Sequence, residues 1–255
     1  MLNPAVFTIS VSSIWKDVVE FIHRSTSCSS GSYSEKHRTF TEQLRTKSSR
    51  WQDLLPRHLQ YSQENLLTAI RSRSAGSLLA MHILRHTSQL KAARLVRHRQ
   101  LPSHVVSRNI QIANFHASQI LSIMRDIYEA FKDYASKEDD IVCLMSPLTG
   151  YAVTSAIDTL SAGGEGGSLW HSIELLAAGV AVLRNLSRFC SSAKAQTKMA
   201  EQRLAQVQAF HVMHASGSKE RSWNISEPME KQFSLDQDVI YGVSTAVYLG
   251  AIRGE

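Results

Sequence analysis

From Ser103 to Phe131 the apolar residues return every three or four positions. Val106, Ile110, Ala113, Ala117, Ile120, Leu121, Met124, Ile127, Tyr128 and Phe131 fall within about 60° of one line at helical spacing. The pattern predicts a helix of roughly 30 residues, some 45 Å long. Ser103 is expected to cap it, and "SKEDD", Ser136 to Asp140, to end it.

The preceding stretch, "SLLAMHILRHTSQLKAARLVRHRQLP", Ser77 to Pro102, behaves differently. Leu79, Ile83, Leu90 and Ala93 fall near one line, but Met81, Leu84 and Leu95 point the other way. A helix that is apolar nearly all round is a buried helix. Its cations, Arg85, Lys91, Arg94, Arg97 and Arg99, scatter around the wheel instead of gathering on one face, as a groove-reading helix requires. Most of them lie in the second half, where positive charge suits the negative end of the helix dipole. The expectation is a core helix with a cationic C-terminal end, stopped by Leu101-Pro102. Any phosphate contact by Arg94 and Arg97 would be weak and indifferent to base sequence. Together the two helices form a long central pair.

Elsewhere the pattern is shorter. "SIWKDVVEFIHR", Ser13 to Arg24, places Ile14, Val18, Phe21 and Ile22 on one side and reads as a short helix with Ser13 as its cap. "STSCSSGSYS", Ser25 to Ser34, reads as a polar loop. A polar helix or loop runs on to Arg50, and "WQDLLPRHLQYSQENLL" breaks at Pro56. Ser146-Pro147 is a helix start with proline at the first helical position, followed by Tyr151, Ala152, Ser155, Ala156 and Leu160. "SAGGEGGS", Ser161 to Ser168, reads as a flexible break. Helices are expected over about Leu169–Phe189 and Ser192–His214. No alternating strand pattern or internal repeat recurs, so the class is all-α, a multi-helix domain over 1–215. Residues 216–255 read as a polar tail with a short terminal element, Val239 to Ile252, that suits helix or strand equally.

Length and charge change this picture little. The chain has 255 residues, enough for a sizeable core. A net charge of +6 and a pI near 9.3 permit an anionic partner but mostly describe a solvated surface. The longest apolar run, "LLAAGVAVL", is half of what a membrane span needs and lies between Glu174 and Arg184. "MLNPAVFTIS" lacks the basic region and cleavage site of a signal peptide. Cys28, Cys143 and Cys190 lie far apart and suggest no disulfide framework. A soluble protein of a reducing, intracellular compartment, without membrane contact, is expected.

Candidate chemistry is sparse. His82 and His86, four residues apart, share a helix face and have the spacing to clamp a metal, but no HExxH motif or nearby third ligand accompanies them. His211 and His214 sit near a helix end and are expected to be solvated. "GGEGG" lacks the Lys-Ser/Thr that a phosphate-binding loop requires. No GxSxG is present. Cys143 and Cys190 have apolar neighbours and read as packed thiols. Asp139 and Asp140 are adjacent rather than paired across a cleft. Between Glu64 and Asp126 there is no acid, so the most apolar helices offer no general base except histidine. The expectation is that the chain is not an enzyme and has no catalytic or metal-binding residues. A helical enzyme, or an effector-binding protein with a buried site, is the alternative.

The order of segments carries a further signal. "IWKDVVEFIHR", then "RWQDLLPRHLQYSQENL", then "LLAMHILRHTSQLKAARLVRHRQLPSHVVSRNIQIANFHASQILSIM", then "SPLTGYAVTSAIDTLSAGG" and "GVAVLRNLSRFCSSAKAQTKMAEQRL" span most of Ile14 to Leu204. In that order they resemble the regulatory region, the "middle homology" or fungal-specific transcription factor domain, of fungal zinc-cluster and zinc-finger transcription factors. The resemblance implies an all-helical domain in the nucleus that controls RNA polymerase II transcription through protein partners, or through a separate DNA-binding module, with homodimers possible. It implies no catalytic residues. Zinc is expected only in the family's Cys-rich DNA-binding module, which three scattered cysteines cannot build. The chain is therefore expected to be either part of a longer factor or a stand-alone regulator that reaches DNA only through that missing module.

Overall fold

The computed structural model describes residues 4–26, 30–94, 100–133, 147–162 and 169–215. Among them the elements run α1 (Pro4–Thr26), α2 (Ser30–Asp53), a 3₁₀ turn (Arg57–Leu59), α3 (Gln63–Arg71), α4 (Ala75–Arg94), α5 (Ser103–Asp133), α6 (Pro147–Ser161), α7 (Leu169–Ser187) and α8 (Ser191–Ala215). The all-α class and the multi-helix architecture stand.

α1 is longer than its hydropathy suggests. It begins at Pro4, and Ser13 is an exposed residue in its middle, not its cap. Phe7 and Val11 carry the buried stripe of Ile14, Trp15 and Val18 back toward the N-terminus. The intervening hydroxyls do not break the helix, because they bond within it. Thr8 donates to the carbonyl of Pro4 at 3.2 Å and Ser12 to that of Thr8 at 2.8 Å.

The expected loop at Ser25–Ser34 is helical where it is described, at Ser25 and Thr26 in α1 and from Ser30 to Ser34 in α2, and α2 resolves the stretch to Arg50 as helix. Its inner face is Tyr33, His37, Leu44, Ser48 and Trp51, helically spaced but two-fifths polar, which hides it from a hydropathy count. It returns antiparallel along α1. Phe21 stacks on Phe40 with centroids 4.0 Å apart, Lys47 Nζ meets Asp17 Oδ2 at 2.6 Å, and Trp51 Nε1 donates to the carbonyl of Phe7 at 3.0 Å.

α3 starts on Ser62, whose hydroxyl accepts from the Asn65 backbone N–H at 3.1 Å. It ends in a Schellman turn. Ser74 N donates to the Ala69 carbonyl and Arg73 N to that of Ile70, with Arg73 left-handed at φ 56°.

α4 and α5 form the central pair. α1, α3 and α6 also pack on α4, and α6 and α7 on α5. Ala113, Ala117, Ile120, Leu121, Met124 and Ile127 of α5 are all buried, as the stripe predicts. Ser103 is the first helical residue rather than a preceding cap; the carbonyl of Pro102 accepts the first turn's bonds from Val105 and Val106. α6 opens on Pro147 as expected, and α7 and α8 match their predicted spans within two residues.

α7 and α8 are antiparallel, since Thr197 donates to the Leu183 carbonyl at 3.1 Å and Arg184 pairs with Glu201 at 2.7 Å. Gly179 lets α7 approach closely: a Cβ there would stand 2.7 Å from Leu121 Cδ2 and 3.2 Å from Ile157 Cδ1. One continuous core cluster runs from Phe7 to Val207. Among the described residues no helix is long and apolar enough to cross a membrane. Cys28, Asp139, Asp140, Cys143, most of "SAGGEGGS" and everything after Ala215 lie outside the described residues.

Candidate functional site

The residues with the most chemistry lie on the basic helix α4, and the fold turns them inward. His82, His86, Lys91 and Arg94 are all buried, with Thr87 and Ser88 between them. The helix is apolar nearly all round, so every face meets a neighbour. Each polar side chain therefore needs a partner inside the protein.

His82 points toward the 3₁₀ turn. Its Nε2 donates to the carbonyl of Leu59 at 2.8 Å, and its ring meets Trp51 and Tyr61 edge-on at 5.7 and 5.6 Å. Burial pushes its pKa down to about 4, with the Leu59 bond opposing that shift and the nearby Arg85 charge adding to it. The ring is neutral and structural, closing a turn that has no regular ladder of its own. Beside it the Tyr61 hydroxyl donates to Asp126 Oδ2 at 3.0 Å; burial, the Asp126 charge and this bond all raise the phenol's pKa.

One helical turn on, His86 faces α5. Its Nδ1 lies 2.9 Å from Nδ1 of His116, with ring centroids 5.1 Å apart. One ring must carry the Nδ1 proton and the other must be bare, so the pair works only when at least one imidazole is neutral. Burial lowers both, His116 to about 4 and His86 well below its ordinary value; Arg85 lowers both further, and His116 adds to the effect on His86. His82 and His86 thus share a helix face, as the spacing indicates, but take different partners. Among the described residues no group of three or more His, Cys, Asp or Glu could hold a metal.

Lys91 and Arg94 form the cationic end of α4, yet neither is at the surface. Lys91 is 0 % exposed and its Nζ stands 4.4 Å above the ring of Tyr151 on α6. Tyr151 in turn meets Trp15 of α1 edge-on at 6.4 Å. Arg94, 6 % exposed, donates to the Ser155 carbonyl at 3.2 Å and lies 3.7 Å from Asp158. Arg203 of α8 reaches the other oxygen of Asp158, also at 3.7 Å. The expectation that Arg94 could contact a phosphate backbone is therefore corrected: its guanidinium is enclosed between α4 and α6. Arg97 and Arg99 lie outside the described residues.

His116, Tyr151, Asp158 and Arg203 are partners that sequence reasoning did not find. His116 sits one position before Ala117 on the α5 stripe, and Asp158 is the only acid in α6. A lone acid in an apolar helix facing a basic one was the available signal.

The remaining candidates are scattered. Cys190 is half-buried just before α8, with Sγ 3.0 Å from the Ser192 hydroxyl, a contact that lowers its pKa. His211 lies beside Trp170, ring centroids 6.1 Å apart, at the far end of the α7–α8 hairpin. No family model, curated protein or solved structure matches the chain.

Proposed function

We propose that this chain is the regulatory domain of a transcription factor of the fungal zinc-cluster or zinc-finger kind, acting on RNA polymerase II transcription through protein contacts while a separate zinc module reads DNA. The observation that carries this is the inward orientation of α4, whose Lys91 and Arg94 meet Tyr151, Ser155 and Asp158 rather than solvent. A basic helix built this way supports a domain and does not read a groove. The resemblance adds to it: the segments that carry it are largely helical where they are described, as an all-helical domain requires. The buried histidines fit the same view. His82 is held by the Leu59 carbonyl, and His86 and His116 by each other.

A nuclear location and partners in the transcription machinery belong to this proposal. The experiment is a fusion of the full chain to an unrelated DNA-binding module, read out on a reporter carrying that module's site. A several-fold change in reporter output, up or down, is expected. Output equal to that of the DNA-binding module by itself, with the fusion present at the same level in the nucleus, contradicts the proposal.

A further inference from the structure

α4 is enclosed on almost every side. From Met81 to Arg94 each of its side chains is buried except Arg85 and Gln89. These two stand one turn apart on one face, where the helix reaches solvent. From there Arg85 leans onto α2. Its Nε donates to the Ser48 hydroxyl at 3.2 Å and its Nη2 to Gln52 Oε1 at 2.6 Å, and its guanidinium carbon lies 6.0 Å from the centre of the Trp51 ring.

Every one of these partners is neutral. Among the described residues no carboxylate pairs with Arg85, although α2 carries Glu35, Glu42 and Asp53. α4 has no acid of its own, and neither has the chain anywhere between Glu64 and Asp126. Burial lowers the Arg85 pKa with no negative charge to offset it. A guanidinium has five N–H donors in a planar fork. Those not given to Ser48 and Gln52 have no protein acceptor among the described residues. A half-buried cation is ordinarily matched by an acid. Here two neutral acceptors fix the plane of the guanidinium and leave its charge unmatched.

We propose that Arg85 is an anion-binding residue, and that the α2–α4 seam around it holds the oxyanion group, carboxylate or phosphate, of a small molecule. The guanidinium fork matches two oxygens of such a group. Ser48 and Gln52 orient the fork, and Trp51 backs it. Gln89 adds a half-buried amide on the same face of α4. Arg45, exposed and one turn before Ser48 on α2, places a second positive charge on the approach. A bound oxyanion supplies the charge that the fold omits beside its central helix, so occupancy stabilises the folded chain. The site stands whether or not the domain acts in transcription.

The test follows the Arg85 Nε–H resonance of the full chain by NMR, assigned through its own backbone, while sodium phosphate or sodium acetate replaces sodium chloride at constant ionic strength and pH. At least one of the two anions should move the resonance along a saturable curve and raise the thermal midpoint over the same concentrations. Acetate alone assigns a carboxylate ligand, phosphate alone a phosphate, and both together a site that takes either oxyanion. Arg85→Met keeps an unbranched stem against Trp51 and should abolish the thermal shift. Arg45→Gln, at an exposed position, should weaken binding several-fold. A resonance that neither anion moves, or that drifts in proportion to concentration without saturating, overturns the proposal. So does a thermal shift that Arg85→Met retains in full. Where Arg85→Met does not fold, the wild-type titration still decides, because the signal belongs to Arg85 itself.

Discussion

His82, His86 and His116 make the interior sensitive to acid, and the sign follows from where the protons go. In the unfolded chain an imidazole takes up its proton near pH 6.5, whereas His82 and His116 in the fold do so only near 4. Between those values the unfolded state binds more protons, so stability rises with pH across the window and is lost as pH falls through it. Full passage costs roughly 3 kcal/mol for each of these two rings. Urea midpoints should therefore drop steeply from pH 7 to 4.5, with little change from 7 to 8. The His86–His116 bond gives a sharper test. His116→Leu removes the partner of a buried nitrogen and should cost about 1–3 kcal/mol, while the double variant His86→Leu/His116→Leu should recover most of that. A double-mutant cycle on unfolding free energy reads the coupling directly; additive losses contradict the bond.

At the scale of elements, α3 ends on a residue that dislikes its own backbone. Arg73 holds a left-handed φ of 56°, a conformation glycine adopts without a Cβ penalty. Arg73→Gly should keep the Schellman bonds of Ser74 and Arg73 N–H and raise stability by up to about 1 kcal/mol, less the extra freedom glycine gives the unfolded chain. A lowered melting temperature would mean that the Arg73 side chain does more than occupy the turn. Gly179 runs the other way. Alanine favours a helix over glycine by about 1 kcal/mol, but a Cβ there meets Leu121, Ile157 and Val153, two of them within 3.2 Å, inside a closed core. Overpacking of this kind costs about 1–3 kcal/mol and should prevail, lowering the thermal midpoint of Gly179→Ala.

The same scale shows what could be read in advance. α5 was legible because its apolar stripe runs for about seven turns, from Val106 to Phe131, and α6 because Pro147 marks its start. α1 and α2 were only partly legible. Their buried faces include Ser25, His37 and Ser48, and serines that bond back to their own helix look like loop residues in a sequence. The inward face of α4 was legible from its all-round hydropathy, but its partners were not. Which helix supplies an acid to Arg94, or a second imidazole to His86, is decided by long-range packing that periodicity does not encode.

Across the whole molecule the basic helix is an inner wall. α4 touches α1, α2, α3, α5 and α6, and the core it belongs to extends from Phe7 to Val207. The positive charge of the chain and the positive charge of this helix are therefore separate matters. Surface lysines such as Lys194 and Lys198 govern solubility and salt-dependent attraction to polyanions, while Lys91 is enclosed against Tyr151. Any affinity of the folded chain for nucleic acid should then be salt-sensitive and indifferent to base sequence. The most direct measurement is amine labelling of the folded chain, read by mass spectrometry lysine by lysine, with and without excess duplex DNA. Lys91 should stay unlabelled in both cases until the protein is unfolded, while Lys194 and Lys198 react readily. Labelling of Lys91 at the rate of those surface lysines, and its protection when DNA is added, would contradict a buried α4 and return the helix to a nucleic-acid interface.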